Sequence, residues 1–172
     1  MPFTSNAKPG KRNAVMLVER NSFTRRLIRG MLKEIGIHSV IEARDGATAE
    51  HMLKTNPVDA ILLDWRSPGT ESARMLARLR QADNPKTAVT PVIITSAHVD
   101  LALLERAANL DASSVMLKPF SLNVLRSHVL AVLGEIDAKP LPDMPPEADR
   151  DGTLPVAAGN APAVEDSEIF YL

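Results

Sequence analysis

Four polar side chains stand where apolar runs of this chain give out, and together they could do chemistry. The run 59–63 (Asp-Ala-Ile-Leu-Leu) ends in Asp64, and Trp65-Arg66-Ser67-Pro68-Gly69 reads as a turn directly behind it. Residues 15–18 lead into Glu19-Arg20, residues 92–95 into Ser96, and residues 115–117 into Lys118-Pro119-Phe120. A carboxylate, a lysine ammonium and a hydroxyl gathered around one point suit transfer of a phosphoryl group to the carboxylate. The carboxylate is the nucleophile, while the ammonium and hydroxyl hold the phosphoryl oxygens. Pro119 after Lys118 is consistent with a fixed peptide bond, cis among the options, that aims the lysine inward. Each feature alone is a weak signal, because a lone strand-terminal Asp is more often a helix cap.

For these residues to meet, their strands must lie side by side and parallel. Apolar runs at 14–18, 37–41, 60–63, 92–95 and 115–117 have the length and composition of strands buried on both faces. Helical periodicity fills the gaps at 24–35, 47–53, 72–79, 101–108 and 122–133, with Gly36 as a stop signal and Pro57, Pro68, Pro91 and Pro119 at the junctions. Five strands alternating with five helices predict an α/β fold, a doubly wound parallel sheet with helices on both faces. With a flavodoxin-like strand order, 2-1-3-4-5, the first, third and fourth strands flank the switch point. Glu19, Asp64 and Ser96 then become neighbours at the carboxyl edge, within reach of Lys118.

Composition bounds what else the chain could be. Its 172 residues suit one domain of ordinary size. With no cysteine, disulfide frameworks and thiolate metal sites are excluded, in agreement with a reducing cytoplasm. The four histidines, His38, His51, His98 and His128, show no metal-ligand spacing, and those at 51 and 128 fall on helical patterns where an exposed or capping role is usual. No stretch approaches the roughly 18 to 20 apolar residues of a membrane-spanning helix, and the N-terminus lacks the pattern of a secretory signal.

The net charge of −1 hides a division. Residues 1–133 carry 18 Lys+Arg against 12 Asp+Glu, whereas residues 134–172 carry 2 against 9. The acidic segment holds six prolines among Ala, Asp, Glu and Gly, a composition that predicts disorder. It closes on Ile169-Phe170-Tyr171-Leu172 after Glu165-Asp166-Ser167-Glu168, which looks like a docking peptide suited to a groove or a sheet edge. Three parts follow: a flexible N-terminus at 1–11, one domain at 12–134, and an acidic, proline-rich tail at 135–172.

Taken in order, the motifs resemble the receiver domain of bacterial two-component response regulators over about residues 12–134. The resemblance rests on 15–19, on Glu42-Ala43-Arg44-Asp45-Gly46, on Leu62-Leu63-Asp64-Trp65-Arg66-Ser67-Pro68, on 91–97 (Pro-Val-Ile-Ile-Thr-Ser-Ala) and on Leu117-Lys118-Pro119-Phe120. It implies that Asp64 is the phosphoacceptor, Lys118 the phosphate-contacting lysine and Ser96 the switch hydroxyl. It also implies a magnesium ion held by Glu19, Asp64 and the backbone carbonyl of Arg66. Trp65 is expected to be partly exposed beside the acceptor. The implied protein is a stand-alone cytoplasmic signalling protein, not an enzyme. It would take its phosphoryl group from a histidine kinase or phosphotransfer protein and act on a downstream protein by contact. No DNA-binding domain is expected behind the receiver. A homodimer is an option, through the face built from the fourth helix, fifth strand and fifth helix.

Two departures set this chain apart from that pattern. The family has two adjacent acids after the first strand, and here the second is Arg20. A unit positive charge about 4 Å from a divalent cation is repelled by roughly 8 kcal/mol at an effective dielectric of 20, so magnesium requires the arginine to swing outward. Second, Val115 stands three positions before the lysine, where the family carries an aromatic rotor. A phosphorylation-independent adaptor therefore stands as the alternative. It would use the C-terminal peptide, or Arg25, Arg26, Arg29 and Lys33 of the first helix as a face for a nucleotide or other anion.

Overall fold

The computed structural model describes residues 13–66 and 70–134, together with the backbone of 169–171. The expected flexible N-terminus, the Ser67-Pro68-Gly69 turn and most of the expected disordered tail lie outside the described residues. Along the chain run β1 (Ala14–Val18), α1 (Ser22–Glu34), β2 (Ser39–Ala43), α2 (Gly46–Leu53), β3 (Ala60–Asp64) and α3 (Thr70–Arg80). Then follow α4 (Pro85–Ala88), β4 (Val92–Ser96), α5 (Leu101–Asn109), β5 (Ser114–Leu117), α6 (Leu122–Val132) and β6 (Ile169–Tyr171). Five strands form the expected parallel sheet in the order β2-β1-β3-β4-β5, and β6 adds to β5 antiparallel.

Strand alternation divides the core into two layers. Met16, Val18, Ile61, Leu63, Ile94 and Val115 face one side and pack on Ala49, Met75, Leu76, Leu103 and Ala107 of α2, α3 and α5. Val15, Leu17, Leu62, Ile93 and Met116 face the other, against Ile28, Leu32, Val124, Leu125 and Val129 of α1 and α6. Both layers are dry, which is why the strands read as continuous apolar runs rather than alternating ones.

Three expectations about elements are corrected. Among the described residues there are six helices rather than five: Asn84 caps Pro85–Ala88, with proline in the first turn, a helix too short to leave a periodic signal. The second strand is Ser39–Ala43 instead of 37–41. Ile37 is buried, but its N–H donates to the Leu32 carbonyl (2.9 Å) while Gly36 N–H donates to Lys33 (3.0 Å) with Gly36 at φ 94°. That pair of bonds is a Schellman cap, so Ile37 closes α1 against Leu32 instead of opening the sheet. Finally, the end of the tail, expected to be disordered apart from a docking peptide suited to a groove or a sheet edge, is a strand, Ile169–Tyr171, on the β5 edge.

Candidate functional site

Glu19, Asp64, Ser96 and Lys118 meet at the carboxyl edge, as the strand order requires. Glu19 leaves β1 with its N–H on the Ala43 carbonyl (3.0 Å), and its side chain is buried, 4% exposed. Asp64 is the last residue of β3, in register with Thr95. Trp65 N–H donates to the Thr95 carbonyl (2.7 Å), which fixes the exit of the chain behind the acid. Lys118 N–H donates to the Ser96 carbonyl (2.7 Å), tying the lysine backbone to the end of β4, and the Lys118–Pro119 peptide is cis.

The lysine is the electrostatic centre. Its Nζ lies 2.6 Å from Glu19 Oε2 and 2.8 Å from Asp64 Oδ1, so one ammonium holds two carboxylates. The other oxygen of Glu19, Oε1, accepts the Asn21 N–H at 2.8 Å, so both its oxygens are engaged. Burial pushes the Asp64 carboxyl above the ordinary aspartate range and the Glu19 charge adds to the rise, while the hydrogen bond and charge of Lys118 and the charge of Arg66 oppose it. An acid raised by burial is nucleophilic only in its ionised form, which the Lys118 ammonium favours.

Ser96 is buried and its hydroxyl is engaged elsewhere. Its Oγ lies 2.6 Å from the His98 carbonyl and 3.2 Å from the Trp65 carbonyl, and it accepts the His98 N–H at 3.3 Å. A hydroxyl has one proton to give, so turning it toward Asp64 means releasing these carbonyls.

A cavity of about 830 Å³ opens above the two acids, lined by Arg20, Arg66, Ser96, His98, Arg106 and Lys118 among others. Arg20 is exposed at its rim, and among the described residues it forms no ion pair with Glu19 or Asp64. The arginine face of α1 is largely satisfied within the fold. Arg25 and Arg29 both pair with Glu42, at 3.3 and 3.1 Å, and Arg25 Nη1 donates to the Glu19 carbonyl at 2.7 Å. Arg26 and Lys33 are exposed.

Two side chains sit differently from expectation. Trp65 is buried, 4% exposed, not partly exposed beside the acceptor. Ile61, Leu63 and Trp65 share one face at period two, so the ring continues the β3 side of the core past the strand end. His128, expected to be exposed or capping, is 1% exposed with Nδ1 2.8 Å from Ser114 Oγ, and burial depresses its pKa to about 4. Its spacing from Leu125 and Val124 already placed it on the buried face of α6.

Positioning residues were also missed. Ser72 donates to the Asp64 carbonyl at 2.8 Å and holds the end of β3; its place at helical spacing with Met75, Leu76 and Leu79 was the available signal. Arg80 spans α3, α4 and the α5–β5 turn by donating to the carbonyls of Ala88, Thr90 and Asp111 at 3.0, 2.9 and 2.6 Å. Asp111 is left-handed (φ 55°), a conformation that aspartate tolerates better than most side chains.

The chain is similar to proteins of known family and fold. Residues 15–130 match the family described as the response regulator receiver domain. The chain is 28% identical over 119 residues to chemotaxis protein CheY-3 of Vibrio cholerae, covering 69% of this chain and 90% of that one. It is 27% identical over 123 residues to chemotaxis protein CheY of Pseudomonas aeruginosa, covering 72% and 98%. Among solved structures, the receiver domain of a sensor histidine kinase from Pseudomonas aeruginosa PAO1, with a magnesium ion coordinated in its active-site cleft, superposes with a TM-score of 0.63 at 24% identity, over 71% of this chain and 98% of that one. CheY4 of Vibrio cholerae gives 0.64 at 19% identity, over 70% and 98%.

Proposed function

The chain belongs to the response regulator receiver domain family, and from that premise we propose that it accepts a phosphoryl group on Asp64 and signals through protein–protein contacts. The observation that carries the reading is the Lys118 ammonium 2.8 Å from Asp64 Oδ1 at the floor of an open cavity. An Asp64 oxygen attacks the phosphorus of a phosphohistidine, the P–N bond breaks, and the imidazole leaves with the bonding pair and takes a proton from water. The product is an acyl phosphate. Lys118 shifts from the carboxylate to a phosphoryl oxygen, and the Ser96 hydroxyl leaves the His98 carbonyl to donate to another. The donor is a histidine kinase or phosphotransfer protein in the cytoplasm. Residues 12–134 act as the receiver and 135–172 as an acidic extension. The chain then works by contact with a downstream protein, not as an enzyme.

The family implies magnesium, and the donors of this chain fit it poorly. No group of three acidic or histidine side chains suited to a metal occurs among the described residues. Both oxygens of Glu19 are already engaged, and Arg20 stands where a second acid would. An ion that wants an octahedral oxygen shell is left with Asp64 and the Arg66 carbonyl. We assign the positive charge facing the phosphoryl group to Lys118, with Arg20 and Arg66 at the rim. The alternative, an adaptor indifferent to phosphorylation, loses support on its anion-binding helix, since Arg25 and Arg29 are both committed to Glu42. Incubation with a radiolabelled phosphohistidine donor distinguishes them: hydroxylamine-labile label on the wild type and none on Asp64→Asn supports the receiver reading, whereas no label on either supports the adaptor.

A further inference from the structure

The outer edge of β5 would be open if the sheet ended there, because parallel pairing to β4 uses only one side of the strand. It does not end there. Ile169–Tyr171 lies along β5 with Ser114 opposite Tyr171, Val115 opposite Phe170 and Met116 opposite Ile169. The opposite edge strand, β2, has no such partner among the described residues and is only half buried, whereas Ser114, Val115 and Met116 are buried as deeply as an internal strand. Sequence favours this docking. Ile, Phe and Tyr are strong strand formers, set at the end of a segment otherwise rich in Pro, Ala, Asp and Gly. Charge favours it too, since residues 134–172 hold 9 acids against 2 bases and residues 1–133 hold 18 bases against 12 acids.

We infer that the β5 edge is a strand-docking surface whose resident occupant is the chain's own C-terminal segment, Ile169–Tyr171. A protein that binds this edge by adding a strand must first displace that segment. The tail is thereby a competitor carried on the same chain, and its tether gives it an effective concentration on the order of millimolar. Lys118 follows β5 directly, so the docked edge and the Asp64 site share one strand. The strand pairing does not depend on phosphorylation of Asp64.

The test is amide hydrogen exchange on the full-length chain and on the double variant Ile169→Pro/Phe170→Pro. In an antiparallel ladder alternate residues face the partner, so two adjacent prolines remove a facing N–H whichever residue supplies it. Exchange at Ser114–Leu117 is expected to quicken roughly tenfold, about the worth of one net hydrogen bond, with the β1 amides Met16–Val18 unchanged. Equal exchange in the two proteins overturns the inference. Protection of Ser114–Leu117 that grows with protein concentration also overturns it, because the strand then comes from a second copy.

Discussion

Replacing Lys118 with methionine removes the cation that Glu19 and Asp64 share and keeps the side chain's volume. Both carboxylate oxygens touch the same nitrogen, at 2.6 and 2.8 Å, so they lie no more than about 5.4 Å apart, the sum of those lengths. Two unit negative charges at that distance repel by about 3 kcal/mol at an effective dielectric of 20. Glu19 is 4% exposed and Asp64 11%, so neither escapes easily to water. After partial rearrangement a loss of about 2–3 kcal/mol is expected, near the lower end for breaking a buried pair. The sign of its pH dependence is fixed as well. Asp64, already raised by burial, is driven further up without the lysine, so the folded variant binds a proton that the unfolded chain has released. The variant's deficit therefore grows as pH rises from about 5 to 8. Urea unfolding at pH 5 and 8 measures it, and Asp64→Asn in the same background should recover most of the loss. A deficit below about 1 kcal/mol at pH 8, or one that is the same at both pH values, refutes the shared-cation description.

Three further perturbations follow from single residues. His128 has a folded pKa of about 4 against an ordinary 6.5, so protons bind the unfolded chain first and stability falls as pH drops from about 6.5 to 4, by up to about 1.4 kcal/mol per unit. His128→Gln should flatten that limb, and parallel pH profiles for the two proteins would contradict the assignment. Arg20→Asp restores an acid at the cavity rim and should raise magnesium affinity at least about tenfold by titration calorimetry or by the emission of Trp65; unchanged affinity means Arg20 is not what weakens the metal site. At Asp111, left-handed at φ 55°, the alanine variant should be about 1 kcal/mol less stable than the glycine variant, since both lose the same exposed carboxylate and only alanine strains the backbone. Equal melting temperatures would remove that explanation.

Much of this arrangement is legible in the sequence because buried parallel strands and amphipathic helices each have their own period. Four strand ends, and with them Glu19, Asp64, Ser96 and Lys118, follow from apolar runs and one topological rule. What escapes is set by contacts between elements distant in sequence. Nothing local tells that Ile37 closes a helix cap instead of opening β2, since an apolar residue after glycine suits both. The burial of Trp65 and His128 was readable from parity and helical spacing, but their polar atoms argued for the surface. Ser114 supplies the partner for His128 across the β5–α6 packing, which only the fold reveals. The pairing of Ile169–Tyr171 with β5 joins residues more than fifty positions apart; the aromatic end signals a docking segment, but nothing local names β5 as its partner. Nor does anything local tell that Arg20 is exposed while Lys118 bridges both acids.

The decisive measurement is peptide-resolved mass analysis of the full-length chain after incubation with acetyl phosphate, in parallel with magnesium and with a chelator. A phosphoryl adduct mapped to Asp64, lost in Asp64→Asn and formed to a similar extent in both conditions, is the outcome that Lys118, Arg20 and Arg66 predict. An unmodified Asp64 in both conditions would contradict the phosphoacceptor role, and an adduct that forms only with magnesium would contradict the assignment of its charge to this chain's own cations.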